Sequence, residues 1–528
     1  MTDLAAPTVS RTIPALLDRA AGQHGDRAWL RTDDLELTFA SAAALVGTVA
    51  QRLGELGVRP GDLVVLTARN EPGYLVALLA ATTIGAAAVP VNPRGSEAEL
   101  RGLLGQLSGP GRTRVIVTDA DLRDAVRRSA AGAGLNVAVV DAGELASAPT
   151  PDAGRLDDGR VGEDDVAVMI PTSGTTGRSK LVMQTHRAHV MAGEGFPWWL
   201  ELSSDDRLMT SLPLFHTNAI AYSAMGSLAS GAGLVLLPRF SASGFLDAAR
   251  RHRATSCNVV GAMLEALMRQ PVRDDDADSP LRSCYTAPSP PEQRHLEIER
   301  RFGFRLVCGY GLSESLYGTI WRPGTRPYGT LGHLRQHPTL GRVNEARVVD
   351  AAGREVPGGE AGELLLHNPT VTPGYYGMAD ETALAVQRGW LHTGDLVTGN
   401  PDGTYTFVAR SKEVIRRRGE NLSPVEVEEA LQAHPDVVES AVVGVAAGLS
   451  DEEIKAYVRT RDGAHADPRA LADFVAQRLA AFKVPRFWQF VDEMPHTPTG
   501  RVAKHRLPSA GDGEEHDLAP VRRQGVPS

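Results

Sequence analysis

Lysine and cysteine are both scarce in this chain of 528 residues. The three cysteines, Cys257, Cys284 and Cys308, form no CxxC pair and have no histidine at zinc-ligand spacing. A disulfide framework and a structural zinc site are therefore not expected. Five lysines (Lys180, Lys412, Lys455, Lys483 and Lys504) stand against fifty arginines. Such a skew is what a GC-rich coding sequence would produce, and it limits what any single Lys-to-Arg exchange means. No block of like charge occurs and the net charge is −9, the wrong balance for coating nucleic acid or lying on an anionic membrane. A clean apolar run of about 20 residues is also missing. The best candidate, Tyr74–Val91, is broken by Thr82, Thr83, Gly85 and Pro90 and reads as a buried helix running into a strand. The first residues lack a basic stretch followed by an apolar one. The expectation is a cytoplasmic protein with no nucleic-acid and no membrane partner. What remains is ordinary globular composition, 42% apolar and 23% charged, with length for about two to four domains.

Helix and strand patterns alternate along the first 340 residues. Ser41–Leu56 has helical spacing with Gly57 behind it, Pro60-Gly61-Asp62 is a turn, and Leu63–Ala68 is a β-branched run. The same theme returns at Arg114–Ala120, Asn136–Ala142, Asp165–Gly174, Gly233–Pro238, Thr255–Gly261 and Phe304–Gly311. Strands alternating with helices indicate a parallel sheet covered on both faces. After about Gly341 the pattern turns to short alternating runs around glycine-rich turns, as in hairpins or a small barrel. Thr404–Ala409 is a further strand, and Ser423-Pro424 before VEVEEAL is a helix start. Residues 509–528 lack periodicity and read as a loose tail.

Directly behind the strand DVAVMI comes Pro171-Thr172-Ser173-Gly174-Thr175-Thr176-Gly177-Arg178-Ser179-Lys180. Glycine removes the Cβ that would keep backbone amides from phosphate oxygens; the hydroxyls add donors and Lys180 adds charge. The run is neither GxxxxGK[ST] nor GxGxxG, so neither standard nucleotide fold is indicated. On composition alone, a plain polar turn accounts for it equally well.

The stretch resembles the phosphate-loop signature of the adenylate-forming superfamily, which comprises acyl-CoA synthetases, peptide-synthetase adenylation domains and luciferases. YGLSE (Tyr310–Glu314), GWLHTGDL (Gly389–Leu396), RSKEVIRRRGENLSPVEVE (Arg410–Glu428) and PHTPTGRVAK (Pro495–Lys504) follow in the family's order. The match covers roughly residues 12 to 507. PLFHTNA (Pro213–Ala219) and RRRGENLSP look most like the carnitine/crotonobetaine-type CoA ligases. The resemblance implies an α/β fold: a large N-terminal domain over 1–409 made of two helix-flanked sheets plus a small β-barrel, a small mobile α+β C-terminal domain over 410–508 turning on Lys412, and a flexible tail over 509–528.

The same resemblance implies roles. Thr172, Ser173, Gly174, Thr175, Thr176, Gly177 and Lys180 match the loop around the β- and γ-phosphates of ATP. Tyr310, in the motif with Gly311, matches the aromatic that stacks on adenine, and Ala287-Pro288 line the other face of the base. Glu314 matches the carboxylate that holds Mg²⁺, with Ser313 where the family usually has threonine. Asp395 matches the acid that binds ribose, and Arg410 the arginine that bonds ribose and phosphate. His216 matches a residue at the mouth of the acid pocket, although a lone histidine is more often structural. Gly419 and Glu420 match the loop along the pantetheine tunnel of CoA. Pocket walls are expected around 215–222, 260–263, 284–289 and 309–318; CYTAPSPP in place of a GGAP-like stretch suggests a bulkier floor and a small acid.

One position departs from the family. A lysine normally follows the glycine of the terminal TG motif and reaches the acid and the α-phosphate; here Thr499-Gly500 is followed by Arg501, whose planar fork binds differently from a compact ammonium. Drift, recruitment for an unusual acid and loss of adenylation all fit that exchange. The expected activity is ATP- and Mg²⁺-dependent adenylation of a small acid with release of pyrophosphate, followed by transfer to an acceptor, by default CoA. The alternatives are adenylation of nitrite to diazotise an aryl amine (an ATP-dependent diazotase of secondary metabolism) and a catalytically silent ATP-binding homologue. At the level of the family a homodimer is expected.

Overall fold

The computed structural model describes residues 10–108, 113–147, 156–172, 179–287, 289–410, 413, 415–417, 420–446, 452–461, 467–479, 483–496, 502–507 and 515–518. The chain divides into two units: Met1–Arg347 with Leu365–Thr393 and Asn400–Tyr405, and Val348–Leu364 with Gly394–Gly399 and Thr406–Ser528.

The alternating strands and helices of the first unit build two sheets. One runs Ala138–Asp141, Thr113–Thr118, Leu63–Thr67, Ala87–Pro90, Val166–Thr172, Lys180–Thr185. Its strands are parallel except for the last pair, an antiparallel hairpin. The other has nine strands, in the order His333–Leu334, Ser315–Ile320, Arg305–Leu312, Ser283–Thr286, Ser256–Asn258, Arg207–Thr210, Gly233–Leu236, Ala28–Arg31, Glu36–Thr38. It is parallel in the middle and antiparallel at both ends. Strand Leu63–Thr67 shows why a continuous apolar run was needed: Val64 and Leu66 enter the main core with Trp29, Leu78 and Phe196, while Leu63 and Val65 pack on the other face with Leu104 and Ile116. Strand ends fall within two or three residues of the sequence reading.

Helix Pro72–Ile84 is buried along Gly73–Thr82, so it is apolar all round. It packs against helices Phe39–Glu55 and Ala142–Ala146. Gly73 permits the second contact, because a Cβ there would lie 1.9 Å from the Ala142 carbonyl oxygen. Gly85, at φ 82°, ends the helix in the left-handed conformation, and strand Ala87–Pro90 follows. Among the described residues no helix is long and apolar enough to cross a membrane.

Where a small barrel was expected, a five-stranded sheet forms in the order Glu345–Val349, Ala361–His367, Trp390–Gly399, Val386–Gln387, with Tyr405–Arg410 also pairing with Trp390–Gly399.

In the second unit, Pro424–Gln432 is a helix with Ser423 at its N-cap and proline in its first turn, as the Ser-Pro signal predicts. It packs with helix Pro468–Ala476 on a four-stranded sheet, Val437–Ala446, Glu452–Thr460, Phe487–Phe490, Glu515–Asp517, around Val427, Leu431, Ile454, Val458, Leu471 and Trp488. The stretch read as a loose tail thus contains an edge strand. Glu515–Asp517 pairs antiparallel with Phe487–Phe490, and ion pairs Lys455–Glu515 at 2.6 Å and Arg486–Asp517 at 2.8 Å hold it. Two further lysines of this unit are paired as well: Lys483 with Glu426, and Lys504 with Glu428 at 2.8 Å and Glu413 at 3.5 Å.

Candidate active site

The described part of the first unit brings the phosphate-loop root and the YGLSE hairpin into one network. Strands Val166–Thr172 and Lys180–Thr185 pair with Thr172 opposite Lys180, and the Thr172 hydroxyl donates to the Lys180 carbonyl at 3.3 Å. The free edge of the second strand is taken by segment 371–376: Val182 bridges Tyr375, Met183 N–H donates to Gly374 O at 3.0 Å and Tyr376 N–H to Leu181 O at 2.9 Å. The same segment reaches the hairpin, where Thr372 N–H donates to Glu314 O at 2.8 Å and Ser315 bridges Val371.

Tyr375 completes the link through side chains. Its hydroxyl donates to Glu314 Oε1 at 3.1 Å, and the Lys180 ammonium lies 4.5 Å from its ring centroid. Burial, then the Glu314 carboxylate, pushes the phenol above its usual range, so the hydroxyl keeps its proton and donates. A hydrogen bond to a carboxylate contributes about 1.5–3 kcal/mol and the cation–π contact about 0.5–2 kcal/mol. Glu314 is thereby aimed by one oxygen. Among the described residues no group of three or more His, Cys, Asp or Glu is placed to hold a metal. A single carboxylate suits Mg²⁺ arriving with a nucleotide, since that ion prefers one or two carboxylates plus substrate phosphates.

Ser313 and Glu314 are the two residues of the turn between Arg305–Leu312 and Ser315–Ile320, with Leu312 opposite Ser315. A register shift between Tyr310 and Leu312 puts Gly311 at an irregularity of the ladder, which re-aims the strand end. Gly318 makes room for Tyr310, because a Cβ there would lie 2.2 Å from the Tyr310 carbonyl oxygen. Ala287 leaves the end of Ser283–Thr286, whose Thr286 pairs with Cys308, so Ala287 and Tyr310 emerge at one end of adjacent parallel strands.

Gln184 joins the acid-pocket segment to this hairpin. Its Nε2 donates to the Ser313 carbonyl at 2.8 Å and to Thr217 Oγ1 at 3.2 Å, and its Oε1 meets His189 Nε2 at 2.9 Å. Burial lowers the His189 pKa to about 3, so the ring is neutral and donates from Nε2, which fixes the amide's orientation. Ser313 therefore contributes its main-chain oxygen to the network. His216, next to Thr217, follows Leu212–Leu214, which Asn70 grips through Leu212 O and Leu214 N–H, both at 2.8 Å.

Strand Trp390–Gly399, whose part Gly394–Gly399 belongs to the second unit, alternates buried and half-buried positions, and that period places Asp395 on the buried side, fully covered. A carboxylate there needs a cation. Arg410 supplies one, with Nε 2.7 Å from Asp395 Oδ1. Pro495 and Ala503 flank the terminal TG motif and are joined by Ala503 N–H to Pro495 O at 2.7 Å, next to a His496–Val502 bridge.

Thr172, Lys180, His216, Ala287, Tyr310, Gly311, Ser313 and Glu314 are thus connected within the first unit, and Asp395 and Arg410 within the second. Ser173, Gly174, Thr175, Thr176, Gly177, Pro288, Lys412, Gly419 and Arg501 lie outside the described residues, and Glu420 is described in its backbone alone. Tyr375 and Gln184 were missed. The paired tyrosines of TPGYYG offered a faint signal for the first, and nothing local marks the second.

A family model described as AMP-binding enzyme matches residues 17–376, and one described as AMP-binding enzyme C-terminal domain matches 426–501. The chain is 33% identical to a sulfoacetate–CoA ligase of Cupriavidus necator, over 95% of its own length and 98% of that protein's. It is 32% identical to a crotonobetaine/carnitine–CoA ligase of Salmonella agona, over 93% and 97%. Among solved structures, ATP-bound MatB from Rhodopseudomonas palustris superposes with a TM-score of 0.84 at 27% identity, covering 94% of this chain and 98% of that one.

Proposed function

This chain belongs to the AMP-binding enzyme family, among its acyl-CoA-ligase-type adenylate-forming members, and on that premise we propose that it activates a small acid with ATP and passes the acyl group to the thiol of CoA. The observation that carries the reading is Tyr375, which joins Lys180 at the loop root to Glu314 in the hairpin turn. In the first half-reaction an oxygen of the acid attacks the α-phosphorus and pyrophosphate leaves. In the second, the CoA sulfur attacks the acyl carbon, AMP leaves and the thiol proton passes to solvent. No covalent nucleophile of the protein is needed; catalysis is positioning and charge stabilisation.

In this reading the loop from Thr172 to Gly177, Thr175 included, and Lys180 hold the β- and γ-phosphates. Tyr310 with Gly311 and Ala287-Pro288 enclose adenine, and Asp395 with Arg410 takes the ribose. Magnesium bound with the nucleotide would be held by Glu314 and would neutralise phosphate charge. His216 stands at the acid, and Arg501 supplies the positive charge that a lysine usually brings to the reacting oxygens. Residues 410–508 turn about Lys412 between the half-reactions, bringing Gly419 and Glu420 to the pantetheine arm.

The test is exchange of labelled pyrophosphate into ATP by the purified full chain with Mg²⁺ and a panel of acetate, malonate, sulfoacetate, butyrate, benzoate and nitrite. Exchange that requires an acid, and AMP formation that then requires CoA, is the expected result. No exchange with any member of the panel refutes it.

A further inference from the structure

Directly behind the hairpin that carries Tyr310 and Glu314 lies a buried cation that neither half-reaction uses. Arg335 is completely covered, and among the described residues no carboxylate is within ion-pair distance of it. Its guanidinium is satisfied by oxygens alone: Nε donates to Thr319 O at 3.1 Å, Nη1 to Leu316 O at 3.1 Å and to the Tyr222 hydroxyl, and Nη2 to the Tyr285 hydroxyl at 2.5 Å. Rings of Trp199, Tyr222 and Tyr285 surround it at 4.9, 4.8 and 5.6 Å.

The placement ties this charge to the site. Thr319 is the ladder partner of Tyr310. Leu316 is two residues beyond Glu314. Tyr222 sits on the π-helical turn Asn218–Ala224 that follows His216-Thr217. Glycine lets the strand pass close to the cation: a Cβ on Gly309 would lie 2.8 Å from Arg335 Nη2 and 2.9 Å from the Tyr285 hydroxyl, and one on Gly311 would sit tightly, 3.2 Å from the Tyr222 hydroxyl. Phe196 stacks on Tyr222 at 5.3 Å and meets Tyr285 edge-on at 5.5 Å. The volume behind the hairpin is therefore filled with aromatic carbon around one positive charge. Low dielectric and the absence of a counter-ion let that charge act on what binds in front of it. The Tyr285 hydroxyl accepts from Arg335, and the cation polarises it.

We propose that Arg335 is a specificity-determining residue, acting through Tyr222 and Tyr285 to close the acid pocket at short length and to favour acids that carry a second anionic group. This rests on the acid-activating reading above. A short dianionic acid gains from the buried charge what an uncharged chain of the same length does not, and a longer chain meets the aromatic floor.

The experiment measures kcat/KM for pyrophosphate exchange by the full chain with malonate and sulfoacetate against butyrate and hexanoate. The expected result is at least a tenfold preference for one of the dianions over both monoanions, with Arg335→Gln cutting that ratio about tenfold or more while KM for ATP stays within about twofold. Should Arg335→Gln fail to fold, Tyr285→Phe, which keeps the ring and loses the hydroxyl, is expected to lower the same ratio. A wild-type preference for butyrate or hexanoate overturns the proposal alone, as does a variant that slows every acid equally. Absence of exchange with all four acids and the wider panel removes the ligase reading itself.

Discussion

Glu71 offers a test of the electrostatics of the first unit. It precedes helix Pro72–Ile84 without capping it and faces Asp119 and Asp141 at the ends of neighbouring strands. Burial first, then Asp119, raises its pKa from 4.5 to about 7. Burial raises Asp119 as well, with Arg69 opposing. The folded state therefore holds a proton on Glu71 that the unfolded chain has already released between about pH 4.5 and 7. With more protons bound in the folded state across that window, the contribution is fully present below pH 4.5 and lost as pH rises through 7. At about 1.4 kcal/mol per pH unit, a sealed site would lose about 3 kcal/mol. Glu71 is only half-buried, and screening by solvent brings this to about 1–2 kcal/mol. Glu71→Gln imitates the protonated form. It is expected to stabilise the protein by about 1–2 kcal/mol at pH 8 and by nothing measurable at pH 4.5, a rise of about 1–2 °C in the pH 8 melting temperature for a chain this long. Paired thermal melts at the two pH values read it. Equal effects at both, or a larger gain in acid, would refute the assignment.

Two further outcomes follow from the site. Tyr375→Phe keeps the ring under Lys180 and removes the bond to Glu314, so kcat/KM for ATP in the exchange assay should fall about 10–100-fold; unchanged exchange would show that Glu314 needs no such partner. Arg501→Met removes the charge assigned to the reacting oxygens and should lower exchange about 10²–10³-fold, while Arg501→Lys, with the charge intact, should lose far less; a methionine variant as active as the parent ends the role given to that residue.

What could be read in advance was local. The Ser423-Pro424 helix start, the run into strand Ala87–Pro90 and the strand before Thr172 each depend on neighbours in sequence, and each appears in the fold. Lys180 and Glu314 were legible because short ordered motifs carry them. Tyr375, Gln184 and Arg335 were not, since what each does depends on partners far off in sequence: 61 residues away in Glu314, 129 in Ser313, and 50 and 113 in Tyr285 and Tyr222. Strand Glu515–Asp517 escaped for a related reason: three residues hold no period, and it exists because an edge and two counter-charges receive it.

The shortage of lysine has a spectroscopic consequence. A chain labelled with ¹³C at lysine alone would give signals from five residues, and Lys455, Lys483 and Lys504 are each anchored to a carboxylate. Lys180 lies over the Tyr375 ring, as Lys455 lies over that of Tyr457, and the ring current displaces the ε-methylene resonance of each upfield, but only Lys180 stands at the root of the phosphate loop. Drawing the ammonium toward a triphosphate would release that displacement, giving the enzyme an intrinsic reporter of nucleotide arrival that needs no attached dye.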